Sequence, residues 1–267
     1  MQKAIGIFDS GIGGLTVLKE IVAALPDENI IYLGDTARVP YGIRSAETVT
    51  RYSFENTQFL LSQEIKLLVV ACNTASAISL GAVKKEYPLP VIGVLEPGAR
   101  AAAAATRTRK VGVIGTEATI ASGAYEKAIR RISPGVEVVS LACPLFVSLA
   151  EEGWTDNDVA RLVAEKYLST FRGSGIDTLV LGCTHYPLLK PVIGGVVGPG
   201  ITLIDSATET AKEVVGVLEK LKWRGNGKGG GVRKFYVTDA PARFEKIGKR
   251  FLGEPLLSAE QVRVGGT

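Results

Sequence analysis

Short apolar runs recur along the chain, and small or polar residues follow them. The runs before Cys72 and Cys183 show no alternation of apolar and polar positions. Such a run predicts a buried strand of a parallel sheet, because both faces of that strand are covered. Segments of helical length separate the runs, and this alternation predicts an α/β fold. Besides the two strands that lead to these cysteines, strands are predicted at 4–8, 30–33, 91–94, 111–115, 136–141, 201–204 and 235–238.

Polar residues and prolines mark the ends of the predicted helices. Thr155 with Asp158 predicts a capping box for a helix that runs to Phe171, and Ser206 with Glu209 predicts a cap for a later helix. A Gly- and Lys-rich loop is expected at 224–231. Further helices are predicted from the Gly-rich turn 9–14 to Pro26, at 45–63, from Cys72 to Pro88, at 99–106 opened by Pro97, after Thr116, from Pro144, from Pro187 and at 241–251.

The chain repeats its strand-and-turn pattern with a nearly constant offset. Two α/β halves are therefore predicted, with a boundary near 96–98. If the strand ends of the halves face each other, each half presents one cysteine to a shared cleft, which is the usual place for ligand contact in such sheets. Three anchors recur in the same order at offsets of 106, 108 and 111 residues: Ser10 with Thr116, Leu33 with Leu141, and Cys72 with Cys183.

Composition narrows the class of protein. The 267 residues are 46% hydrophobic and 22% charged, so the chain can bury a sizeable core. A net charge of +4 is too mild to predict direct nucleic-acid binding. Three cysteines are too few, and odd in number, for a disulfide scaffold, and they fit a reducing compartment. Because neither a signal peptide nor a membrane span is predicted, we expect a cytoplasmic protein with no membrane association.

Two cysteines on opposite sides of a cleft suit one kind of chemistry. One thiolate can remove a proton from a stereocentre while the opposite thiol delivers another, and the centre inverts. A thiolate forms near neutral pH when a helix N-terminus or a cation lowers its pKa, and both Cys72 and Cys183 precede a predicted helix or loop. His185, the single histidine, lies two residues after Cys183. Asp9 ends the first strand near Cys72 and would raise the pKa of that thiol, so it would accept a proton or orient the thiol.

Other interpretations compete with this one. A cysteine at a strand end is often only a small buried hydrophobe, which is how we interpret Cys143. Cys72, Cys183 and His185 could form a Cys₂His zinc site, although a close Cys-x-x-Cys or histidine pair is missing. His185 could also be purely structural.

The Gly-rich turn 9–14 and two loops are further candidates. The turn resembles the glycine-rich fingerprint of dinucleotide-binding proteins, but Thr16 stands where the third small residue of that fingerprint belongs. The simpler interpretation is a turn whose backbone N–H groups approach a carboxylate. Thr116 and Thr119 could hold a carboxylate or merely cap a helix. The loop segment 41–42 could bind substrate or be a plain turn.

Together these motifs resemble glutamate racemase, the cofactor-independent enzyme that supplies D-glutamate for bacterial peptidoglycan. The resemblance covers nearly the whole chain, and its two cysteine motifs are the most specific parts. Ser148 stands where many relatives would have proline. The matching segments are 6–15, 35–42, 71–76, 115–116, 119–120, 151–153 and 182–187.

The resemblance implies a function and its residues. Cys72 and Cys183 would be the two acid/base catalysts that interconvert L- and D-glutamate, with Asp9 assisting Cys72, and His185 with Glu151 assisting Cys183. Neither pyridoxal phosphate nor a metal is expected. The implied substrate contacts are Asp9, Ser10, Tyr41, Gly42, Asn73, Thr74, Thr119, Thr184 and His185.

The resemblance also implies an architecture and partners. One α/β domain would comprise 1–97 with 207–267 returning to it, the other 98–206, and the active site would lie in the cleft between them. A homodimer is expected. Regulation by a cell-wall precursor and binding to DNA gyrase occur in some members, and neither can be read from this sequence.

Two alternative functions remain open at this point. An aspartate racemase shares the two-cysteine logic, and relative turnover of glutamate and aspartate would separate the two. A non-catalytic gyrase-binding or amino-acid-binding protein would keep the fold without the chemistry, and would not exchange the substrate α-proton in D₂O.

Overall fold

The computed structural model describes residues 3–225, 230–254 and 258–265. All strand pairings among these residues are parallel. The strands are β1 (Ala4–Asp9), β2 (Ile30–Gly34), β3 (Ile65–Val70), β4 (Val91–Gly93), β5 (Lys110–Gly115), β6 (Glu137–Ala142), β7 (Thr178–Gly182), β8 (Thr202–Asp205), β9 (Arg233–Val237) and β10 (Glu260–Gln261).

The strands form two sheets, and four strands of the first correspond in order to the four strands of the second. The first has the order β10-β9-β2-β1-β3-β4 and the second the order β6-β5-β7-β8. The shared order β2-β1-β3-β4 and β6-β5-β7-β8 confirms the prediction of two related parallel α/β units. Strand β9 pairs with β2, so the C-terminal part of the chain extends the first sheet. The bounds 1–97, 98–206 and 207–267 stay a prediction.

Helices cover these sheets. Three short 3₁₀ turns lie at Tyr41–Ile43, Ser169–Phe171 and Tyr186–Leu189. The α-helices are α1 (Leu15–Ala24), α2 (Ala46–Ser62), α3 (Asn73–Ile78), α4 (Leu80–Glu86), α5 (Leu95–Ala105), α6 (Glu117–Ala121), α7 (Ala124–Ile132), α8 (Leu145–Glu152), α9 (Asp158–Leu168), α10 (Lys190–Val197), α11 (Ser206–Leu221) and α12 (Pro241–Leu252).

Both predicted helix caps were wrong by one or two residues. Asn157, not Thr155, caps α9, because its Oδ1 accepts from Ala160 N at 2.9 Å. Asp205 caps α11 by accepting from Ala207 N at 2.9 Å. Each true cap also has a short polar side chain, so the sequence offers neighbouring candidates that only the backbone path distinguishes.

Several predicted helices are divided or shifted. Two helices, α3 and α4, follow Cys72 instead of one, and the Ser79 hydroxyl at their junction donates to the Ala75 carbonyl, a bond that bends helices. The region after Thr116 divides at Gly123, whose φ is +62°. Pro97 lies within the first turn of α5, where proline is tolerated, so the predicted boundary at 96–98 falls inside a helix.

Burial explains the success of the β1 prediction. All six residues of β1 are buried, as the unbroken apolar run before the turn predicts. The edge strand β10 lies in the tail, for which no strand was predicted. Of the predicted loop 224–231, residues 226–229 lie outside the described residues. No helix in the described part of the chain has the length and apolar character that crossing a bilayer requires.

Candidate active site

Both sheets contribute their carboxyl ends to one cavity of about 160 Å³. Cys72 follows β3 in the first sheet, and Cys183 follows β7 in the second. Both thiols are free, with 5% and 6% of each residue exposed. The predicted residues that border the cavity are Ser10, Tyr41, Gly42, Cys72, Asn73, Thr74, Cys183, Thr184 and His185.

Cys72 is a protonated thiol at neutral pH. Burial, followed by the negative charge of Asp9, raises its pKa to about 12, although it lies at the N-cap of α3. The desolvation cost exceeds the help from backbone and Ser10 donors, so the helix N-terminus does not lower the pKa of this thiol. The predicted direction of the Asp9 effect on this thiol agrees with the structure.

Asp9 is buried behind Cys72 and does not border the cavity. Its Oδ2 accepts from Gly11 N at 2.9 Å, and its Oδ1 has no partner among the described residues. Burial raises the pKa of Asp9, against the opposing charge of His185. The position suits a group that exchanges a proton with Cys72, and it does not suit direct substrate contact.

Cys183 has a different environment, because His185 lies beside it. The distance from His185 Nδ1 to Cys183 Sγ is 3.8 Å, and Nε2 lies 3.2 Å from Glu151 Oε1. Burial alone would lower the pKa of His185, but the hydrogen bonds to Cys183 and Glu151 outweigh it and raise this pKa to about 10. His185 is therefore an imidazolium at neutral pH, and a cation beside a thiol favours the thiolate.

Glu151 completes this arrangement from the end of α8. Its hydrogen bond with His185 lowers the pKa of Glu151 despite partial burial. Arg243 of α12 lies 3.2 Å from the other carboxylate oxygen, and Arg250 donates to the Glu151 carbonyl. The C-terminal helix thus holds the carboxylate that orients His185, a contact that sequence reasoning missed because it joins residues about 90–100 apart.

Three threonine hydroxyls form a cluster at one wall. Thr74 Oγ1 lies 2.9 Å from Thr116 Oγ1 and 3.1 Å from Thr119 Oγ1. Thr74 and Thr116 border the cavity, whereas Thr119 is buried behind them. Thr116 also caps α6, so this residue is both a helix cap and part of the cavity wall. The structure therefore places Thr116 where Thr119 was predicted to contact substrate.

The wall that contains Tyr41 is held by a buried network. The Tyr41 hydroxyl donates to Asp35, and Arg38 Nε lies 2.7 Å from the same carboxylate. Thr238 Oγ1, just after β9, donates to Asp35 at 3.0 Å. Because the Tyr41 hydroxyl is engaged in this network, the tyrosine shapes the wall with its ring. At Gly42, a Cβ atom would come within 2.7 Å of Thr116, so only glycine permits this close approach.

The Gly-rich turn joins the two halves, and the carboxylate that its backbone holds is that of Asp9, to which Gly11 N donates, and not one in the cavity. Of residues 9–14, only Ser10 borders the cavity. A Cβ on Gly13 would overlap Thr184 Oγ1 and lie 2.5 Å from His185 Nδ1. Thr16 reinforces the contact by donating to the Thr184 carbonyl at 2.9 Å.

Sequence reasoning missed one side of the cavity. Ser148, noted from the sequence only as a departure from the proline of many relatives, is one of the missed residues. Pro144 follows the edge strand β6, and Val147 and Ser148 sit on a face of α8 that no motif marks. The other missed residues follow the inner strands β2 and β5, where attention went to the neighbouring polar and glycine residues. The missed residues that border the cavity are Val39, Pro40, Ile43, Glu117, Pro144, Val147 and Ser148.

The zinc hypothesis finds no support in the described residues, where no group of three His, Cys, Asp or Glu side chains could hold a metal. Cys143 is buried away from the cavity, and burial raises its pKa to about 12. This surrounding agrees with the interpretation of Cys143 as a packing residue.

A sequence model of the Asp/Glu/Hydantoin racemase family matches residues 5–214. The chain belongs to this family. It is 62% identical over 260 residues to the glutamate racemase of Geobacter metallireducens, with 97% of this chain and 96% of the relative covered. The predicted resemblance to glutamate racemase, and membership of an amino-acid racemase class of isomerases, are confirmed.

Comparison with solved structures leads to the same family. The chain superposes on a glutamate racemase isoform of Bacillus anthracis with a TM-score of 0.94 at 42% identity, covering 98% of this chain and 97% of that one. For the Francisella tularensis glutamate racemase in complex with D-glutamate, the TM-score is 0.92 at 40% identity, with 98% of each covered. An aspartate racemase of Picrophilus torridus, at 18% identity, shares the fold alone, with 84% of this chain and 98% of that one covered and a TM-score of 0.59.

Proposed function

We propose that this chain interconverts L- and D-glutamate by moving the α-proton between the substrate and two cysteines, Cys72 and Cys183. The observation that carries the proposal is that one cysteine from each sheet borders the same cavity. The high identity to glutamate racemases over nearly the full chain supports glutamate as the substrate.

The different surroundings of the two cysteines support an acid and a base in one site. Cys183, beside the imidazolium of His185, is the base that removes the α-proton of the enantiomer facing it. Cys72, whose pKa is raised to about 12, is the thiol that delivers a proton to the opposite face. After this step Cys183 carries the proton and Cys72 is the thiolate, which is the state required for the reverse reaction. The starting state returns when Cys183 releases its proton to solvent and Cys72 takes one up through Asp9.

Three hydroxyl groups and one positive charge bind the substrate carboxylates in this proposal. Ser10, Thr74 and Thr184 offer hydroxyls, and His185 offers the positive charge. Among the described residues that border the cavity, none is lysine or arginine. We propose that these groups act without pyridoxal phosphate or a metal, so dialysis against a chelator should leave activity unchanged.

Isotope exchange tests the activity directly. We expect the purified protein to incorporate one deuterium at the α-carbon of L-glutamate in D₂O while D-glutamate accumulates, as followed by NMR and circular dichroism. An absence of exchange would reject racemisation and leave an amino-acid-binding or gyrase-binding protein. Faster turnover of aspartate than glutamate would instead identify an aspartate racemase.

We infer further that the D-glutamate serves peptidoglycan synthesis in the cytoplasm. Expression of the chain should restore growth of a bacterium that requires D-glutamate, and the Cys72→Ser variant should not. The expected homodimer is measured by light scattering of the purified protein. Binding to DNA gyrase is no part of this proposal, and no residue of the chain is assigned to it.

A further inference from the structure

Tyr125 connects the two halves of the molecule next to the cavity. It belongs to α7 of the second half and is buried. Its Oη donates to Asn73 Oδ1, the residue directly after Cys72, at 2.7 Å. Its ring lies so close to Gly182, the residue before Cys183, that a Cβ there would come within 3.0 Å of Tyr125 Cε2. The side chain therefore touches the neighbours of both cysteines.

The hydroxyl of Tyr125 is fixed from its other side. Ser206 Oγ lies 3.1 Å from Tyr125 Oη and also donates to the Leu181 carbonyl at 3.2 Å. Burial raises the pKa of Tyr125 above its ordinary value, so the hydroxyl keeps its proton and stays a donor at neutral pH. These contacts leave the phenol little freedom to rotate away from Asn73.

The side-chain amide of Asn73 therefore has its oxygen occupied and its nitrogen available. A carboxamide has an acceptor oxygen and a donor nitrogen, so a donor that holds Oδ1 decides where Nδ2 points. Asn73 borders the cavity with 3% of the residue exposed. Its Nδ2 is buried and has no hydrogen-bond partner among the described residues. A buried donor without a partner is costly, which indicates that a ligand supplies the missing acceptor.

We propose that Tyr125 is a positioning residue for substrate, which holds Asn73 Oδ1 so that Nδ2 donates to a carboxylate of the amino acid in the cavity. The inference rests on the proposed function for the identity of the ligand. It assigns Tyr125 a role that acts through Asn73, since Tyr125 itself does not border the cavity. Without the phenol hydroxyl, the amide is free to turn its oxygen toward the carboxylate, where it repels the ligand.

The test is a double-mutant cycle on KM for L- and D-glutamate. We expect Tyr125→Phe to raise KM about 5- to 10-fold, the effect of one buried hydrogen bond, with a much smaller change in kcat. We expect Asn73→Ala to raise KM at least as much. In the Asn73→Ala background, Tyr125→Phe should add almost nothing, because its effect passes through the amide. A purely structural role of Tyr125 would give additive effects instead.

Matched variants separate this role from general loss of stability. Tyr186→Phe also removes one buried phenol hydroxyl, bonded to the Cys143 carbonyl at 2.9 Å, and should leave KM within twofold of wild type. Asn73→Asp, which offers only acceptors, should bind D-glutamate more weakly than Asn73→Ala in a calorimetric titration. If Tyr125→Phe fails to fold, this comparison decides the proposal, and equal or tighter binding by Asn73→Asp would overturn it.

The outcomes also separate this inference from the proposed function. If wild-type protein racemises glutamate while Tyr125→Phe keeps the wild-type KM, the role of Tyr125 is rejected and the proposed function stands. If wild-type protein binds glutamate but exchanges no α-proton, the proposed function fails. The titrations of the Tyr125 and Asn73 variants then still decide whether Tyr125 positions the amide.

Discussion

Replacement of Glu151 by glutamine tests how His185 keeps its charge. The carboxylate lies 3.2 Å from Nε2 and is partly buried. A hydrogen bond between charged groups contributes about 1.5–3 kcal/mol. Because 1.36 kcal/mol corresponds to one pKa unit, Glu151→Gln should lower the pKa of His185 by about one to two from its value near 10. The neutral glutamine leaves the ring in place and removes most of the charge stabilisation.

The assay is an NMR titration of the imidazole. The chain has a single histidine, so its ring signals need no assignment. We expect the midpoint near pH 10 in wild type and about pH 8–9 in Glu151→Gln. The alkaline limb of kcat/KM should move to lower pH by the same amount, because His185 loses the positive charge beside Cys183 at a lower pH. Glu152→Gln, a change of the exposed neighbouring carboxylate, is the control and should alter neither midpoint.

Stability should follow the same titration. The folded-state pKa of His185 lies above its ordinary value of 6.5, so its contribution to stability is fully present below about pH 6.5 and is lost as pH rises through about 10. The deficit of Glu151→Gln in urea unfolding should therefore be larger at pH 7 than at pH 11. A midpoint near 6.5 in wild type, or an unchanged midpoint in Glu151→Gln, would refute this account of the ion pair.

Three further substitutions test the walls of the site. Gly13→Ala should destabilise the fold by about 1–3 kcal/mol and remove most activity, because its Cβ overlaps the 184–185 segment. Gly195→Ala, which has open space around it inside α10, should instead leave stability to urea unchanged or raise it by up to about 1 kcal/mol. Asp35→Asn should lower the free energy of unfolding by about 1–3 kcal/mol and raise KM for glutamate, because it weakens the hydrogen-bond network that holds Tyr41. An unchanged KM would show that this wall of the cavity needs no such support. Cys143→Ala should lower the free energy of unfolding by about 1–2 kcal/mol and keep kcat within threefold of wild type. Loss of racemisation in a folded variant would show that this thiol takes part in the chemistry.

The sequence predicts those features of the fold that depend on the polarity of neighbouring residues along the chain. An unbroken apolar run determines a strand such as β1, because its surroundings must be apolar on both faces. The repeat of the cysteine motif predicts the two sheets, and the structure places Cys72 and Cys183 at one cavity. These features need only the order of residues along each half.

The contacts between distant segments were beyond such reasoning. The support of Glu151 by Arg243, and of Tyr41 by Thr238 through Asp35, joins segments that no pattern connects. The charge states depend on the same contacts. Burial makes Cys72 a thiol although it precedes a helix, and its desolvation was invisible before the fold was known.

The most direct test of the two-cysteine account is α-proton exchange in D₂O by the two single serine variants. With Cys72→Ser, the account predicts exchange without inversion for the one enantiomer that faces Cys183. With Cys183→Ser it predicts exchange for the other enantiomer, and neither variant should racemise at more than a trace rate. Exchange of the same enantiomer by both variants, or full racemisation by either, would contradict the account.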